Sequence, residues 1–198
     1  MLRNRAALRR VANEAPGVKL HLGCGEDYKR GYINVDVLPS AKCDLISRVE
    51  DLRGIPNASV ACIESYHLVE HLRHSQLKAS LSEWSRVLRP GGELHVELPN
   101  FQQCIENLGA HFHNGHDLAM VGIYGFPPDI EAEPFWQQHK WGWTPATLGG
   151  LIGEFGFRDV AEATVRQDWR EAAKFGRDMH LVAIRDESEW CPPSEGAS

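Results

Sequence analysis

Hydrophobic and polar residues fall into two alternating patterns along this chain, one typical of strands and one typical of helices. Short apolar runs, or apolar residues at every second position, predict strands. The predicted strands are residues 18–22, 32–37, 43–46, 60–66, 93–98, 160–165 and 179–184. Because the run at 60–66 is mostly apolar, we expect a strand that is buried in a parallel sheet.

Two segments between these strands carry apolar residues at helical spacing. The first is residues 75–88, with Ser75 as its N-cap and the sequence RPGG after it. The second follows Thr144 as cap, has Pro145 in its first position and ends at Gly156. Strands that alternate with helices predict an α/β fold, with a mainly parallel central sheet and helices on both faces.

Length and composition limit the number of domains and the kinds of partner. With 198 residues, the sequence is long enough for one domain, predicted at residues 18–185. Residues 1–17 are predicted as an N-terminal helical extension, and residues 186–198 as a disordered polar tail. The formal net charge of −6 disfavours a nucleic-acid partner, since phosphate binding needs a basic surface. No apolar run approaches the ~20 residues that span a bilayer.

The cysteines indicate a reducing compartment. The five cysteines are odd in number, widely spaced and form no C-x-x-C pair, so neither a disulfide framework nor a cysteine zinc site is expected. The first residues lack the apolar segment of a secretory signal. We therefore expect reduced thiols in a cytoplasmic protein.

The segment KLHLGCGEDYKRGYINVD, residues 19–36, joins a strand, a Gly-x-Gly turn and a second strand. Gly23 and Gly25 let a ligand approach the main chain, and Asp36 at the second strand end can accept hydrogen bonds from a ribose diol. This combination indicates an adenosine-containing cofactor. A dinucleotide needs a third glycine, and its diphosphate would meet the two carboxylates after Gly25. S-adenosylmethionine carries a sulfonium cation and no phosphate, so the acidic loop favours it.

The chain resembles the class I S-adenosylmethionine-dependent methyltransferases of the small stand-alone type over residues 19–184. The resemblance rests on LHLGCG, the strand end NVD, the segments IESYHLVEHL and WSRVLRPGGELHVELPN, and a late HKWGWT and FGF block. Each motif alone is common, whereas the set is specific. It implies a Rossmann-like methyltransferase fold with an antiparallel last strand, and S-adenosylmethionine as the cofactor.

The resemblance also implies which residues hold the cofactor. These are Leu22, Gly23, Cys24, Gly25, Asp36, Val37, Asp51, Leu52, Ser65 and Tyr66. The glycine loop would wrap the methionine part, Asp36 would hold the ribose diol, and Val37 would lie against the adenine. Asp51 and Leu52 would contact the adenine. Ser65 and Tyr66 would end a strand beside the reactive methyl group.

Two features depart from the family pattern. The family usually has an acid two residues before the first glycine, and this chain has His21, which leaves open whether Glu26 or a strand carbonyl anchors the cofactor amino group. Only nine residues, 23–31, separate the first two strands, which predicts a first helix reduced to about one turn. These departures favour the alternative, a non-catalytic cofactor-binding or scaffold protein.

Three residues form an H-x-x-E-H motif just after the strand at 60–66, namely His67, Glu70 and His71. On a helix these positions share one face and can bind a divalent metal such as Mg²⁺, Mn²⁺ or Zn²⁺. Three interpretations stay open: a pocket without metal, a metal-assisted methyltransferase, and an inverzincin-type peptidase. In the resembled family, some O-methyltransferases carry E-x-x-E-H here and bind metal. This chain has His67 where they have Glu.

Residues 109–143 show little periodicity and are predicted to bind the acceptor. Within them, His139 stands beside Trp141 and Trp143, whose rings suit a sugar or planar ligand but equally suit the core. We predict His139 as a base or a fourth metal ligand, and His71 as the second catalytic residue.

The sequence as a whole predicts methyl transfer from S-adenosylmethionine to a small polar acceptor, with a hydroxyl oxygen of a sugar or glycan favoured. A hydroxyl is a weak acid, and a metal bound to it would lower its pKa, whereas nitrogen acceptors need this less. An NAD oxidoreductase and a metallopeptidase rank below the non-catalytic alternative. We expect a small-molecule or glycan partner rather than nucleic acid, and leave a homo-oligomer open.

Overall fold

The computed structural model describes residues 2–39, 41–166 and 176–187, so most of the predicted tail 186–198 lies outside the described residues. The helices in these ranges are α1 Leu2–Glu14, α2 His74–Val87, α3 Phe101–Glu106, α4 Leu118–Tyr124, α5 Pro127–Ala132, α6 Pro134–Gln137 and α7 Pro145–Gly153. The strands are β1 Val18–Leu22, β2 Ile33–Asp36, β3 Leu45–Ile46, β4 Val60–Tyr66, β5 Leu88–Pro99, β6 Phe112–His113, β7 His116–Asp117, β8 Phe157–Ala163 and β9 Asp178–Arg185. Among the described residues, none of the helices has the length and apolar character needed to cross a membrane.

The central sheet has seven strands in the order β3-β2-β1-β4-β5-β9-β8, and β6 pairs separately with β7. Strands β1 to β5 are parallel, whereas β9 is antiparallel to both β5 and β8. The predicted mainly parallel sheet with an antiparallel last strand is confirmed. Because the strand order reverses between β1 and β4, the carboxyl ends of these strands leave a crevice at which ligands bind in folds of this kind.

The buried core lies on one face of this sheet. Side chains such as Leu20, Leu22 and Ile63 are fully buried there and pack with apolar residues of α2 and α7. Trp84 of α2 is also fully buried, and its Nε1–H donates to the carbonyl of Val49 at 3.0 Å. Burial of each large apolar side chain contributes about 2–3 kcal/mol, so this core holds the strand ends rigidly.

The N-terminal helix belongs to the same packed unit. Ala7 and Val11 of α1 are members of the buried core. At the edge of the sheet, the side-chain amide of Asn4 both donates to and accepts from the backbone of Ile46 at 3.0 Å. Part of the segment predicted as an extension is thus attached to β3.

The ends of some elements differ from the prediction. Strand β5 begins at Leu88 instead of residue 93, because the RPGG sequence continues the strand through an irregularity in its pairing with β4. Helix α2 begins at His74 with Arg73 as its N-cap, so Ser75 lies inside the helix rather than capping it. Thr144 caps α7 as predicted.

The connection between β1 and β2, residues 23–32, contains no helix. The prediction of a short first helix is therefore wrong, since the ten residues form turns only. In a doubly wound fold this crossover normally carries a helix that packs on the sheet. Here the corresponding sheet face carries polar residues that lie opposite one another on neighbouring strands. We call this surface the polar face, and its members are Lys19, His21, Cys62, Glu64, Tyr66, Glu93, His95, Glu97 and His180.

Candidate functional site

The glycine loop turns sharply at the carboxyl end of β1. Gly23 and Gly25 have φ angles of +67° and +49°, in the left-handed region that favours glycine. The backbone N–H groups of Gly23 and Cys24 both donate to the carbonyl of Val35, at 2.9 and 3.2 Å. A Cβ at Gly23 would lie 2.9 Å from Cδ1 of Leu68, so this position has room only for glycine.

Asp36, at the end of β2, fixes the loop from the other side. The backbone N–H of Gly25 donates to Oδ2 at 2.9 Å, and the backbone N–H of Leu38 donates to Oδ1 at 2.8 Å. Each carboxylate oxygen has further lone pairs, and Asp36 lines the cleft above the sheet. This carboxylate can therefore hold the loop and accept hydrogen bonds from a ligand at the same time.

The cleft has a volume of about 810 Å³, within the range of small-molecule sites. Six of the predicted cofactor residues line it, namely Gly23, Cys24, Gly25, Asp36, Val37 and Tyr66. Leu22 and Ser65 are buried under it, and Asp51 and Leu52 lie outside its lining. The three residues before that last pair, Arg48, Val49 and Glu50, line the cleft.

His21 lines the cleft where the family usually has an acid. Its Nδ1–H donates to Oδ1 of Asn34 at 3.2 Å, and the Asn34 amide is oriented by its Nδ2–H bonds to the Lys29 carbonyl and to Asp44. Burial lowers the pKa of His21, so the imidazole is neutral. Its Nε2 is then a hydrogen-bond acceptor, as a carboxylate oxygen would be.

A charged side chain in the middle of β4 organises the floor of the site. Glu64 accepts hydrogen bonds from Lys29, from Tyr32 and, at 2.8 Å, from the hydroxyl of Tyr66. Burial raises the pKa of Glu64, but these three donors outweigh it and lower the pKa overall. The Arg166 guanidinium lies 3.3 Å over the Tyr66 ring. Sequence reasoning missed this cluster, although a carboxylate inside an apolar strand signals buried partners.

The H-x-x-E-H motif forms a single 3-10 turn, Val69–His71, instead of a regular helix. His67 precedes the turn with a φ of +49°, and its Nδ1–H donates to Oε1 of Glu70 at 3.2 Å. Nε2 of His67 lies 3.6 Å from a carboxylate oxygen of Asp178. His67 is thus a partner of Glu70 on one side.

On its other side, Glu70 meets two imidazoles. Ligand atoms of Glu70, His71 and His139 all lie within 4.8 Å of one another, and the rings of His71 and His139 are 4.7 Å apart. Oε2 of Glu70 and Nδ1 of His71 are buried without a hydrogen-bond partner. The Nδ1–H of His139 donates to the Gly122 carbonyl at 2.9 Å, which leaves its Nε2 as a lone-pair donor. Oε2 of Glu70, Nδ1 of His71 and Nε2 of His139 therefore have lone pairs that can coordinate a divalent cation.

The protonation states of the three residues also suit this role. Burial raises the pKa of Glu70, but the His67 hydrogen bond and the neighbouring imidazoles lower it overall, to about 2. Burial lowers the pKa of His71 to about 4 and lowers that of His139. At neutral pH the cluster therefore holds one carboxylate and two neutral imidazoles, which is the form that binds metals or accepts a proton.

His139 reaches this cluster through the predicted acceptor-binding segment. The backbone N–H of Lys140 donates to the Glu70 carbonyl at 2.7 Å, which fixes the segment against the 3-10 turn. Phe135 and Trp136 of this segment line the cleft. The two tryptophans singled out in the sequence do not line it: Trp143 is buried in the core, and Trp141 is half-exposed. The cleft aromatics had no distinguishing pattern in the sequence.

Comparisons with known proteins agree with this geometry. Residues 39–96 match the family described as "Methyltransferase domain". A search of curated protein sequences gives no match to this chain.

Similar solved structures cover nearly the whole chain at low identity. A SAM-dependent methyltransferase from Archaeoglobus fulgidus is 19% identical, with a TM-score of 0.55, over 91% of this chain and 92% of that one. An S-adenosylmethionine-dependent methyltransferase from Mesorhizobium loti is 15% identical, with a TM-score of 0.56, over 92% and 98%. The 1,6-didemethyltoxoflavin-N1-methyltransferase of Burkholderia thailandensis, with S-adenosylhomocysteine bound, is 14% identical, with a TM-score of 0.52, over 93% and 78%. The chain therefore has the Rossmann-like fold of these S-adenosylmethionine-dependent methyltransferases, and residues 39–96 match a methyltransferase-domain family, in agreement with the resemblance found in its sequence.

Proposed function

We propose that this chain transfers a methyl group from S-adenosylmethionine to a hydroxyl oxygen of a small polar acceptor, such as a sugar or glycan. The observation that carries the proposal is the convergence of Glu70, His71 and His139 beside the cleft that holds the glycine loop and Asp36. His71 connects this cluster to the cleft, since it is one of the three converging residues and also lines the cleft.

The charge of the cleft supports a cationic adenosine cofactor. Glu26 and Asp27 line it next to the glycine loop, and Glu50 lines it farther along. Each of these three carboxylates is paired with a basic side chain, namely Lys42, Arg166 and Arg48 respectively. Over the whole lining, five carboxylates stand against three basic side chains, and this excess of negative charge favours a sulfonium over a diphosphate. A Cβ at Gly25 would meet open space, so the main chain there is accessible to a ligand.

Glu70, His71 and His139 are the residues that would hold a divalent metal. Two imidazole nitrogens and one carboxylate oxygen suit ions such as Zn²⁺ or Mn²⁺. When bound, such an ion supplies Lewis acidity that lowers the pKa of a hydroxyl acceptor. Gly122 orients His139, and His67 orients Glu70, as supporting hydrogen-bond partners do in metal sites.

The residues at the cleft wall support a small polar acceptor. Phe135 and Trp136 offer aromatic surface, and Asp129, Gln137 and Lys140 offer polar groups beside them. Aromatic faces pack well on the apolar face of a sugar ring, while polar neighbours fix its hydroxyls. The Burkholderia neighbour is named as a nitrogen methyltransferase, and we favour oxygen here because a weakly acidic hydroxyl needs the base and the cation that this cluster can provide.

The test combines cofactor binding with methyl transfer. Binding of S-adenosylhomocysteine is measured by calorimetry, and transfer from a tritiated donor is measured on a panel of sugars, glycans and amines. The variants are Glu70→Gln and His139→Gln, with His113→Gln, an exposed residue of β6, as the control. We expect the first two variants to bind S-adenosylhomocysteine normally but to lose at least about 100-fold in transfer rate, because they lose the proton acceptor or a metal ligand.

Each part of the proposal has its own contradicting outcome. Transfer that survives exhaustive chelation and the Glu70→Gln change contradicts the metal role. Transfer to amines but to no hydroxyl contradicts O-methylation. Binding of S-adenosylhomocysteine without transfer to any acceptor favours the non-catalytic protein, and stabilisation by NAD alone contradicts the cofactor.

A further inference from the structure

A second group of metal-ligating side chains lies on the polar face, away from the cofactor cleft. Cys62 of β4 is paired directly with Glu93 of β5, and His95 follows two positions later on the same side of that strand. Ligand atoms of these three residues all lie within 4.8 Å of one another. Cys62 is four positions before Tyr66, so along the strand it is ~13 Å from the residue that lines the cleft.

The hydrogen bonds around His95 direct one of its ring nitrogens towards Glu93. The Nδ1 of His180 lies 2.9 Å from the Thr164 carbonyl, which can only accept, so this nitrogen carries a proton. In a neutral His180, Nε2 then accepts from Nδ1–H of His95 at 3.3 Å. That leaves Nε2 of His95 with a bare lone pair, 3.1 Å from a carboxylate oxygen of Glu93.

A bare nitrogen lone pair that faces a carboxylate oxygen at this distance is the arrangement of two ligands that share a cation. The Glu93 side chain is 55% exposed, so an ion from solvent can reach both atoms.

We propose that Cys62, Glu93 and His95 bind a zinc ion on the polar face. Thiolate, imidazole and carboxylate are the ligand types of protein zinc sites, and two ligands at 2.0–2.2 Å from a tetrahedral zinc are ~3.4 Å apart. The 3.1 Å between the His95 nitrogen and the Glu93 oxygen fits this geometry. His180 acts as the supporting partner that fixes the His95 tautomer, and it is itself fixed by the Thr164 carbonyl.

Binding exchanges the thiol proton for the metal. Burial and the nearby Glu64 raise the pKa of the Cys62 thiol to about 12, so without metal the sulfur is protonated. The zinc–sulfur bond forms as this proton leaves to solvent, and no oxidant or reductant is involved. The three protein ligands join β4 to β5, and water completes the coordination. The ion therefore cross-links the folded sheet on the side that lacks a crossover helix.

Cobalt(II) distinguishes this site from the cluster in the cleft, because only this site contains sulfur. The full-length chain is titrated with Co²⁺ under reducing conditions, and the thiolate-to-cobalt charge-transfer absorption is recorded. We expect this band in the wild type and in Glu70→Gln, and its loss in Cys62→Ser. The matched control is Cys43→Ser, a cysteine that is buried to a similar degree and should retain the band.

The affinity for zinc gives a second readout. Zn²⁺ should raise the unfolding temperature of the wild type, since a ligand that binds only the folded state stabilises it. His180→Phe should weaken zinc binding by about 10–100-fold, as loss of a supporting hydrogen-bond partner does. Glu93→Gln, on a largely exposed side chain, tests a ligand with little risk to folding.

Three results would overturn the proposal. One is saturation with Co²⁺ without a charge-transfer band. Another is a band that persists in Cys62→Ser. The third is an unchanged zinc affinity in both Glu93→Gln and His180→Phe.

Discussion

The Asp36→Asn substitution tests the centre of the cofactor cleft. Each carboxylate oxygen of Asp36 accepts one backbone N–H, from Gly25 at 2.9 Å and from Leu38 at 2.8 Å. Asparagine keeps one acceptor oxygen but presents an amide group to the other N–H. One charge-assisted hydrogen bond is therefore lost, and the one that remains becomes neutral.

The expected magnitudes follow from these contacts. A hydrogen bond to a charged group contributes ~1.5–3 kcal/mol, so we expect the free energy of unfolding to fall by about 2 kcal/mol. For a chain of this size the unfolding temperature should then drop by about 4–8 °C. The ribose contact predicted for Asp36 also loses its charge, and a loss of ~1.4–2.8 kcal/mol lowers the affinity for S-adenosylhomocysteine by about 10–100-fold.

The assay pairs thermal unfolding without ligand with calorimetric binding of S-adenosylhomocysteine. Asp117→Asn is the matched control, because Asp117 also accepts one backbone N–H on each carboxylate oxygen, from Gly109 at 2.8 Å and from Ala119 at 2.9 Å, but does not line the cleft. It should lose stability and keep its affinity. Unchanged affinity in Asp36→Asn, or an equal loss of affinity in Asp117→Asn, would refute the assignment of Asp36 to the ligand.

Three further substitutions test other contacts. Burial lowers the pKa of His21 below its value in the unfolded chain, so the unfolded state binds more protons. The free energy of unfolding should therefore fall as the pH drops from about 7 to 5. An equally steep fall in the unfolding temperature of His21→Gln would contradict this. Gly23→Ala adds a Cβ 2.9 Å from Leu68 at a φ of +67°, and urea unfolding should show a loss of at least about 1–2 kcal/mol; an unchanged urea midpoint would show that the loop tolerates a side chain. Lys29→Met leaves the buried Glu64 without its cation and should lower the free energy of unfolding by about 2–3 kcal/mol. This is less than the ~3–5 kcal/mol of a fully buried pair, because the Lys29 side chain is one-third exposed. The double variant with Glu64→Gln should recover part of the loss, and no recovery would mean that the pair is not coupled.

The strands of the central sheet could be predicted from the sequence because their signals are local, whereas the two-residue strands β6 and β7 were missed. Strands β1 and β4 coincide residue for residue with the predicted ones, since each is mostly apolar. Strand β5 shows the limit of local signals. Its first residues include Pro90, Gly91 and Gly92, a pattern that predicts the end of a helix and not a strand. Only the pairing with β4 extends the strand back to Leu88.

The same distinction applies to the candidate site. Gly23, Gly25 and Asp36 come from one short segment, and the structure brings them together as expected. The sequence also predicts His139 as a base or a fourth ligand beside His67, Glu70 and His71. The structure brings His139 to Glu70 and His71, whereas His67 bonds to Glu70 and is not one of the three converging residues. Which of the four residues converge depends on the turn after β4 and on the backbone bond from Lys140 to Glu70, and neither leaves a pattern in the sequence.

The surroundings of Asp51 and Leu52 also depend on tertiary structure. The resemblance predicts that this pair contacts the adenine, and the structure leaves the pair outside the cleft lining, next to Arg48, Val49 and Glu50, which line it. The chain is irregular after β3, so no periodicity indicates which residues face the ligand. Leu52 is fully buried instead, with its backbone N–H donating to Glu83 of α2 at 2.9 Å.

After β5 the chain leaves the central sheet and comes back beside it at Trp143, which forms an isolated bridge with Asn100. The backbone N–H of Phe101 also donates to the Trp143 carbonyl at 2.8 Å. A segment whose two ends are already joined can change in length at little cost to the domain that carries it. The stretch from Phe101 to Gln138 includes four residues that line the cleft, Asp129, Phe135, Trp136 and Gln137. A graft that keeps Gly122, His139 and Lys140 would therefore exchange one wall of the cleft and leave the glycine loop and Asp36 in place.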